Sequence, residues 1–226
     1  MYKNMRVSAI IAGAGASVRM GAGISKQLLK IADKTVIEHT AARFKECGYI
    51  DEIIIVCPQN EREVFQKMFP HYTVTEGGST RQKSVYNGVC AADDNCTLIV
   101  IHDGARPLVT LKEICSVIED AEKFGASTLA VPVKDTIKSV ENYTVIDTPP
   151  REKLFAVQTP QVFFKEKYVQ AYNTALQDNK DFTDDCQLIE SIGEKVHITP
   201  GSYENIKITT PEDIVIAESL LRKRAE

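Results

Sequence analysis

Two hydrophobic patterns alternate along the first 133 residues of this chain. Short β-branched runs, such as Val7–Ile11 and Ile53–Val56, are typical of strands that are covered on both faces. Between these runs, apolar residues recur at helical spacing. The patterns predict strands at 7–11, 52–57, 98–101 and 128–133, and helices at 35–47, 61–69, 80–92 and 110–124. Strands that alternate with helices predict an α/β protein with a mostly parallel sheet flanked by helices.

The pattern changes after Val133. Residues 136–148 alternate weakly around Glu141-Asn142, which predicts a β-hairpin. A two-stranded hairpin is only marginally stable in water, and its apolar residues and open edges need a cover. We therefore expect a homodimer with exchanged arms, in which each chain is a single domain spanning 1–226 with a β-arm at about 134–158.

The last third of the chain returns to short elements. A strand is predicted at 161–164, helices at 165–177 and 184–191, and short strands at 196–199 and 205–209. The final helix has a clear start, because Thr210 is a good N-cap and Pro211 suits the first helical position.

Composition narrows the function classes. The chain has 226 residues and a formal net charge of −4, which argues against a broad nucleic-acid-binding face. The segment Met1–Arg6 leads straight into a strand rather than a secretory signal, and no apolar run reaches membrane-spanning length. The six cysteines form no C-x-x-C pair and lie in apolar runs, so we expect buried free thiols. We expect a cytoplasmic protein that binds neither nucleic acid nor membrane.

The loop after the first strand suggests an anionic ligand. Residues 12–16 are all Ala or Gly, so backbone N–H groups can approach a ligand closely, and Arg19 and Lys26 follow. The loop is not a Walker A motif, because Ser25 precedes Lys26 and Gln27 follows it. A dinucleotide fold is also disfavoured, because the second strand ends without an acidic residue.

Two later loops should meet this one. Residues 77–84 follow a strand and open a helix, either as a plain turn with Ser79 or Thr80 as N-cap or as a second anion site. Residues 103–107 end another strand, where Asp103 is either a turn residue or a carboxylate that binds a metal or a hydroxyl. Because ligands of such sheets bind beyond the carboxyl ends of the strands, we expect loops 12–26, 77–84 and 103–107 to form one site.

Other polar residues have two interpretations at this point. His102 is better explained as a packed core histidine than as a base. Lys207, between Ile206 and Ile208, points either to solvent or into the site. Thr136 and Arg151 lie in or beside the arm and alone would be surface residues.

Taken in order, these motifs resemble one family. The matching pieces are AGAGASVRM with SKQ, GGSTRQKSV, HDGARP, VPVKDTIK, AVQTPQ, FTDD and NIKITTPEDI. They resemble the 2-C-methyl-D-erythritol 4-phosphate cytidylyltransferases over essentially the whole chain. The resemblance implies a Rossmann-like nucleotidyltransferase fold with a protruding β-arm, and a homodimer with a swapped arm. It also implies transfer of CMP from CTP to 2-C-methyl-D-erythritol 4-phosphate, with Mg²⁺ and release of pyrophosphate.

The same resemblance implies roles for individual residues. The implied catalytic residues are Arg19, Lys26, Arg151 and Lys207. The implied CTP-binding residues are Ala14, Gly15, Gly78, Arg81, Ser84, Asp103 and Gly104. The implied residues for the alcohol phosphate are Asp103, Arg106, Thr136, Arg151, Thr159, Thr183 and Lys207. Thr136 and Arg151 would reach across from the neighbouring subunit. Asp103 is the candidate ligand of a metal held mostly by the CTP phosphates.

The chain departs from the family pattern at three places. It has Gly13-Ala14-Gly15 where the family usually has Ala-Ala-Gly, and Val18 where a second basic residue is frequent. Ser79 replaces a common Asp, so a base contact there depends on the backbone. Arg19 and Lys26 are thus the main cations of the first loop.

Three other functions fit part of the pattern. The first is a cytidylyltransferase for another alcohol phosphate, such as ribitol 5-phosphate. The second is a non-catalytic nucleotide-binding module, which Arg19, Lys26, Asp103 and Lys207 disfavour. The third is a glycosyltransferase, which typically needs an Asp-x-Asp metal motif that the sequence lacks. The residues alone do not explain a choice of cytosine over uracil.

Overall fold

The computed structural model describes residues 1–15 and 25–225. Arg19 and Val18 lie outside these ranges. The strands are β1 Arg6–Ala12, β2 Lys30–Ile31, β3 Lys34–Thr35, β4 Glu52–Cys57, β5 Thr73–Glu76, β6 Cys96–Asp103, β7 Ala126–Pro132, β8 Ser139–Glu141, β9 Thr144–Asp147, β10 Phe155–Phe164 and β11 His197–Pro200. The α-helices are α1 Val36–Glu46, α2 Arg62–Met68, α3 Arg81–Ala91, α4 Leu111–Phe124, α5 Lys165–Gln177, α6 Asp185–Glu190 and α7 Pro211–Ala225.

The central sheet is mostly parallel, as predicted. Within the described residues its strand order is β11-β7-β10-β6-β1-β4-β5. β10 is antiparallel to both β6 and β7, whereas the β1–β4, β1–β6, β4–β5 and β7–β11 pairs are parallel. The carboxyl ends of β1, β4, β5, β6 and β7 therefore share one edge. β10 runs the other way, so its amino-terminal half lies at that same edge.

Successive residues of each central strand enter different layers of the core. Ile11 and Val100 pack in the layer that contains Phe44 of α1 and Val117 of α4. Ile10 belongs to the opposite layer, with side chains from α3, α5 and α6. Because a strand alternates its side chains between two faces, helices cover both faces of the sheet. This burial fixes the sheet edge on which the loops are built.

Two predicted helix starts are also stabilised locally. Thr35 and Thr110 each cap their helix in a capping box, with Glu38 and Glu113 as the reciprocal partners. Each side chain satisfies a backbone N–H that the first helical turn leaves without a partner. The positions of α1 and α4 therefore follow from local sequence as well as from core packing.

Several sequence predictions need correction. The predicted strand at 205–209 is absent from the described structure, because this segment is held by separate contacts, including Ile208 N–H to Ala105 O at 2.8 Å, instead of a ladder. The strand predicted at 161–164 is the end of the longer β10. Cys90 is exposed and Cys115 is partly exposed, so the thiols are not all buried.

The arm is a separate hairpin between β7 and β10. Among the strands of residues 1–15 and 25–225, β8 and β9 pair only with each other, through a turn in which Asn142 and Tyr143 have positive φ angles of 48° and 59°. The far end of the predicted arm, Phe155–Gln158, belongs to β10, whose residues 155–157 pair with β7. Apolar side chains of the arm and its base are at least 41% exposed: Ile137, Val140, Tyr143, Val145, Ile146, Phe155 and Val157. None of the helices in the described ranges is long and apolar enough to cross a bilayer.

Candidate active site

A cavity of about 390 Å³ lies at the carboxyl edge of the sheet. Its walls come from the loop after β1, the segment around Lys26, the loop before α3, the end of β6 and the segment before α7. The sequence-predicted residues that line it are Ala14, Gly15, Lys26, Gly78, Arg81, Ser84, Asp103 and Lys207. The loops that were expected to meet do so in their described parts, and Lys207 is directed into the cavity wall.

Asp103 is the centre of the charged side chains in this cavity. Its Oδ2 accepts from Lys207 Nζ at 2.9 Å and from Arg106 Nε at 3.3 Å, and its Oδ1 is 4.0 Å from an Arg81 nitrogen. Burial alone would raise the pKa of this carboxyl, but Lys207, Arg81 and Arg106 outweigh it and hold the pKa well below its usual range. Asp103 is therefore ionised at any physiological pH.

The segment that carries Lys207 is anchored from behind. Asn205 is fully buried, and its Nδ2 donates to Thr159 O at 2.9 Å. Its main-chain oxygen accepts from Arg106 at 2.7 Å. Asn205 thus joins Lys207 to the same framework that holds Arg106 and Asp103.

His102 and Thr159 fix the backbone at the end of β6. The main-chain N–H of Asp103 donates to Thr159 Oγ1 at 3.0 Å, and this hydroxyl is also 3.0 Å from His102 Nδ1. His102 Nε2 lies 3.0 Å from Arg106 O, which can only accept, so the Nε2 carries the proton and Nδ1 accepts from Thr159. Burial lowers the pKa of His102 to about 4. His102 is a neutral, fully bonded core residue, as its sequence context indicated.

The loop before α3 is shaped by Ser84. Its hydroxyl donates to Thr80 O at 2.7 Å and accepts from Gly78 N–H at 3.0 Å. A Cβ on Gly77 would lie 2.4 Å from the Ala14 side chain, so only glycine lets these two loops approach so closely. Ser84 thus acts on the loop backbone, and Thr80, rather than Ser79, is the N-cap of α3.

Other predicted residues lie around the cavity and not in its described wall. Gly104, Arg106 and Thr159 are behind Asp103, where Gly104 N–H bonds Ala12 O at 2.9 Å. Thr183 is exposed before α6, and its hydroxyl donates to Gln187 at 3.0 Å. Thr136 and Arg151 are exposed at the arm, where Arg151 donates to Lys134 O at 3.0 Å. The arm residues of one chain are thus not brought into its own cavity.

Sequence reasoning missed the residues that orient this site. Gln27, which the sequence did not single out, also lines the cavity. Asn205, Asp185 and Tyr168 are buried supports whose partners are distant in sequence. The FTDD piece was a usable signal for Asp185, because an acidic residue in an apolar helix start needs a partner. Nothing in the local sequence singles out Tyr168.

A divalent cation fits Asp103 as a single protein ligand. The described residues hold no group of three or more His, Cys, Asp or Glu that could bind a metal together. Mg²⁺ is commonly held by one or two carboxylates plus substrate phosphates, an arrangement that Asp103 alone can serve. Among the described residues, the cations nearest to Asp103 contact Oδ2, so Oδ1 is the oxygen that would hold such an ion.

Comparison with known proteins agrees with this geometry. Residues 7–223 match the family model described as 2-C-methyl-D-erythritol 4-phosphate cytidylyltransferase. A relative of that name from Caldanaerobacter subterraneus subsp. tengcongensis is 46% identical and covers 97% of this chain and 100% of its own. Another, from Desulforamulus reducens, is 44% identical over 96% of this chain and 97% of its own.

Solved structures of the same family have the same fold. The 4-diphosphocytidyl-2C-methyl-D-erythritol synthase of Anaerococcus prevotii superposes with a TM-score of 0.86 at 32% identity, covering 96% of this chain and 99% of its own. The 2-C-methyl-D-erythritol 4-phosphate cytidylyltransferase of Thermus thermophilus gives a TM-score of 0.82 at 32% identity, with 96% and 100% covered. This chain belongs to the 2-C-methyl-D-erythritol 4-phosphate cytidylyltransferase family.

Proposed function

We propose that this protein transfers CMP from CTP to 2-C-methyl-D-erythritol 4-phosphate, giving 4-diphosphocytidyl-2-C-methyl-D-erythritol and pyrophosphate. The observation that carries the proposal is the charge of the cavity. Among its described lining residues, Lys26, Arg81 and Lys207 are cations and Asp103 is the single anion. Such a wall suits a ligand with several negative charges, and family membership identifies that ligand as a nucleoside triphosphate.

The chemistry needs positioning more than proton transfer. The second pKa of a phosphate monoester is about 6, so the attacking phosphate is largely dianionic at neutral pH. No general base is required, which agrees with a neutral His102 that has both nitrogens bonded. The remaining barrier is the repulsion between two anions, and fixed cations lower it.

Each cation has a separate part in this mechanism. Lys26 and Arg19 neutralise charge that builds on the triphosphate. Lys207 holds the attacking phosphate in line with the α-phosphorus, exchanging its present ion pair with Asp103 for one with the substrate. Asp103 would be the protein ligand of a divalent cation such as Mg²⁺, which when bound would supply further positive charge at the triphosphate.

We also propose that the working unit is a homodimer. The exposed apolar side chains of the arm need a cover, and a second copy of the chain is the cover that also brings Thr136 and Arg151 to a cavity. Arg151 of one subunit binds the phosphate of the alcohol in the cavity of the other. The proposed location of the enzyme is the cytoplasm.

A pyrophosphate-release panel tests the reaction. The purified protein is incubated with Mg²⁺, each of the four ribonucleoside triphosphates, and either 2-C-methyl-D-erythritol 4-phosphate or ribitol 5-phosphate. We expect release with CTP and 2-C-methyl-D-erythritol 4-phosphate at a kcat/KM at least about a hundredfold above every other pair. A preference for ribitol 5-phosphate would mean that this compound is the acceptor in place of 2-C-methyl-D-erythritol 4-phosphate. No pyrophosphate release with any pair would reject the proposal that the protein is a catalyst.

A further inference from the structure

A buried polar chain runs from α5 to the cavity. The Tyr168 hydroxyl, in a fully buried residue, donates to Asp185 Oδ1 at 2.8 Å. Asp185 Oδ2 lies 2.7 Å from Arg81 NH1, and Arg81 is one of the residues that line the cavity. Helix α3 thus meets α5 and α6, which lie far along the chain from it, through one charged pair and one hydroxyl.

The pairing with Asp185 also sets the distance from Arg81 to Asp103. The other guanidinium nitrogen of Arg81 stops 4.0 Å from Asp103 Oδ1, which is outside hydrogen-bond range. Lys207 and Arg106 both contact Oδ2 instead. Among the described residues, Oδ1 is therefore the oxygen of Asp103 whose ion-pair partner is the more distant one.

The segment before α6 keeps Asp185 in register with α3. Thr80 Oγ1 donates to Asp181 Oδ1 at 3.1 Å, and Phe182 N–H donates to Gln82 Oε1 at 2.8 Å. These bonds join the first turn of α3 to the chain just before Asp185. The Asp185 carboxylate is thus held in place relative to Arg81 by the Tyr168 hydroxyl and by the bonds between α3 and the segment before α6.

We propose that Asp185 and Tyr168 are positioning residues. They hold the Arg81 guanidinium in the cavity wall, directed toward CTP, and keep it from forming a close ion pair with Asp103. Stability alone is a weak reason for this arrangement, because a buried ion pair costs much of its Coulombic gain in lost hydration. A part-exposed Arg81 whose carboxylate partner is almost fully buried is instead suited to hold a donor in one orientation.

The electrostatics agree with this role. Burial opposes the charge of Arg81, but Asp185 and then Asp103 raise its pKa above the usual value, so Arg81 stays cationic. Burial and the adjacent carboxylate of Asp185 raise the pKa of Tyr168 well above its usual range, so its hydroxyl stays protonated and continues to donate.

A double-mutant cycle tests whether Asp185 acts through Arg81. The dissociation constant of CTP with Mg²⁺ is measured by calorimetry, without the alcohol phosphate, for wild type, Arg81→Gln, Asp185→Asn and the double variant. We expect each single variant to weaken binding by about tenfold or more, since a charge-assisted contact is lost. The double variant should match Arg81→Gln within about twofold. If the two losses multiply, Asp185 does not act through Arg81 and the inference is overturned.

A hydroxyl deletion keeps the inference testable if a charge variant fails to fold. Tyr168→Phe removes only the donor to Asp185, and Tyr172→Phe, one turn later on α5, is the matched control. We expect Tyr168→Phe to raise the CTP dissociation constant by about three- to fivefold, with a smaller change in KM for the alcohol phosphate. Tyr172→Phe should leave both unchanged. Equal effects of the two variants, or equal changes for both substrates, would indicate packing alone and contradict the inference.

This inference rests on the proposed function, and the experiments separate the two. A wild-type protein that neither binds CTP nor releases pyrophosphate would reject the proposed function. A wild type that does both, with multiplicative losses in the cycle, would reject only the positioning role.

Discussion

The cavity wall and the β-arm hold their charged side chains in opposite ways. In the wall, Asp103 and Lys207 are joined to each other and, through Arg106 behind them, to buried Asn205; Thr159 also bonds Asp103, and all these contacts lie within one chain. In the arm, the one described hydrogen bond of the Arg151 side chain goes to Lys134 O, while apolar residues of the same arm are exposed. The wall is preorganised by its own chain, whereas the arm has surface that its own chain leaves uncovered.

This difference has a thermodynamic meaning. A site held by intrachain bonds has already lost its conformational freedom during folding, so little more is lost when a ligand binds. An exposed apolar hairpin gains its order only when a partner buries it. Substitutions in the wall should therefore change chemistry and CTP binding, and substitutions in the arm should change assembly and binding of the second substrate.

The largest expected effect belongs to the wall. Lys207→Ala should lower kcat by about 10²- to 10³-fold, because it removes a fixed cation from the reacting phosphates. Steady-state pyrophosphate release measures the loss, and thermal unfolding checks the fold. Lys112→Ala, an exposed lysine on α4, is the control and should retain full activity. A folded Lys207→Ala enzyme with near-normal kcat would remove Lys207 from the mechanism.

A smaller, selective effect is expected at the arm. Arg151→Ala should raise KM for the alcohol phosphate by about tenfold to a hundredfold, because a charge-assisted contact is lost, with little change in KM for CTP. The control is Lys153→Ala in the same short helical turn, which should change neither constant. If Arg151→Ala changes both KM values equally, Arg151 does not contact the second substrate.

The free energy of unfolding should depend on pH through His102, which lies behind the cavity wall. Unfolded His102 takes up a proton near pH 6.5, but in the folded protein its pKa is about 4. The unfolded state therefore binds more protons between these values, and stability that is complete above about pH 6.5 is lost as the pH falls toward 4. From pH 7.5 to pH 5 the free energy of unfolding should fall by about 2 kcal/mol.

Urea unfolding at the two pH values measures this loss. His102→Gln should remove most of the difference, whereas His71→Gln, a histidine of the loop between α2 and β5, should leave it in place. A wild-type stability that is the same at pH 7.5 and pH 5 would show that His102 is not held neutral by the fold.

The smallest expected effect is on assembly. Val145→Asp places a charge on the apolar surface of the arm and should raise the dimer dissociation constant by about tenfold. Val64→Asp on α2 is a matched control, because the two valines are 54% and 47% exposed. Sedimentation velocity over a dilution series measures both. An equal response would mean that the arm does not form the dimer contact.

The same contrast explains what the sequence could predict. The alternating strands and helices could be predicted from local periodicity. The starts of α1 and α4 could be predicted because Thr35 and Thr110 are N-caps whose partners are nearby in the sequence. The meeting of the loops at one sheet edge follows from parallel topology alone. The supports, in contrast, are contacts between residues up to about a hundred positions apart, as for Arg106 with Asn205. No local pattern records such a pair, so Asn205 and Tyr168 were not identified.

Two predictions show the same limit in detail. Thr159 is predicted to bind substrate, and the structure adds contacts that the sequence did not indicate, because its hydroxyl bonds Asp103 N–H and lies 3.0 Å from His102 Nδ1. The sequence left open whether the Lys207 side chain points to solvent or into the site. The hydrogen bond from Ile208 N–H to Ala105 O holds this segment beside the cavity. Side-chain roles at the edge of a sheet thus depend on which distant segment packs behind them.

Subunit complementation tests most directly whether the cavity wall of one subunit works together with Arg151 from the arm of its partner. Lys26→Ala and Arg151→Ala proteins, each nearly inactive at low concentration of the alcohol phosphate, are mixed, allowed to exchange subunits and assayed. Each mixed dimer would then contain one cavity with both native side chains, so random exchange should restore about one quarter of wild-type activity. Activity that stays at the level of the separate variants, despite proven subunit exchange, would contradict the account.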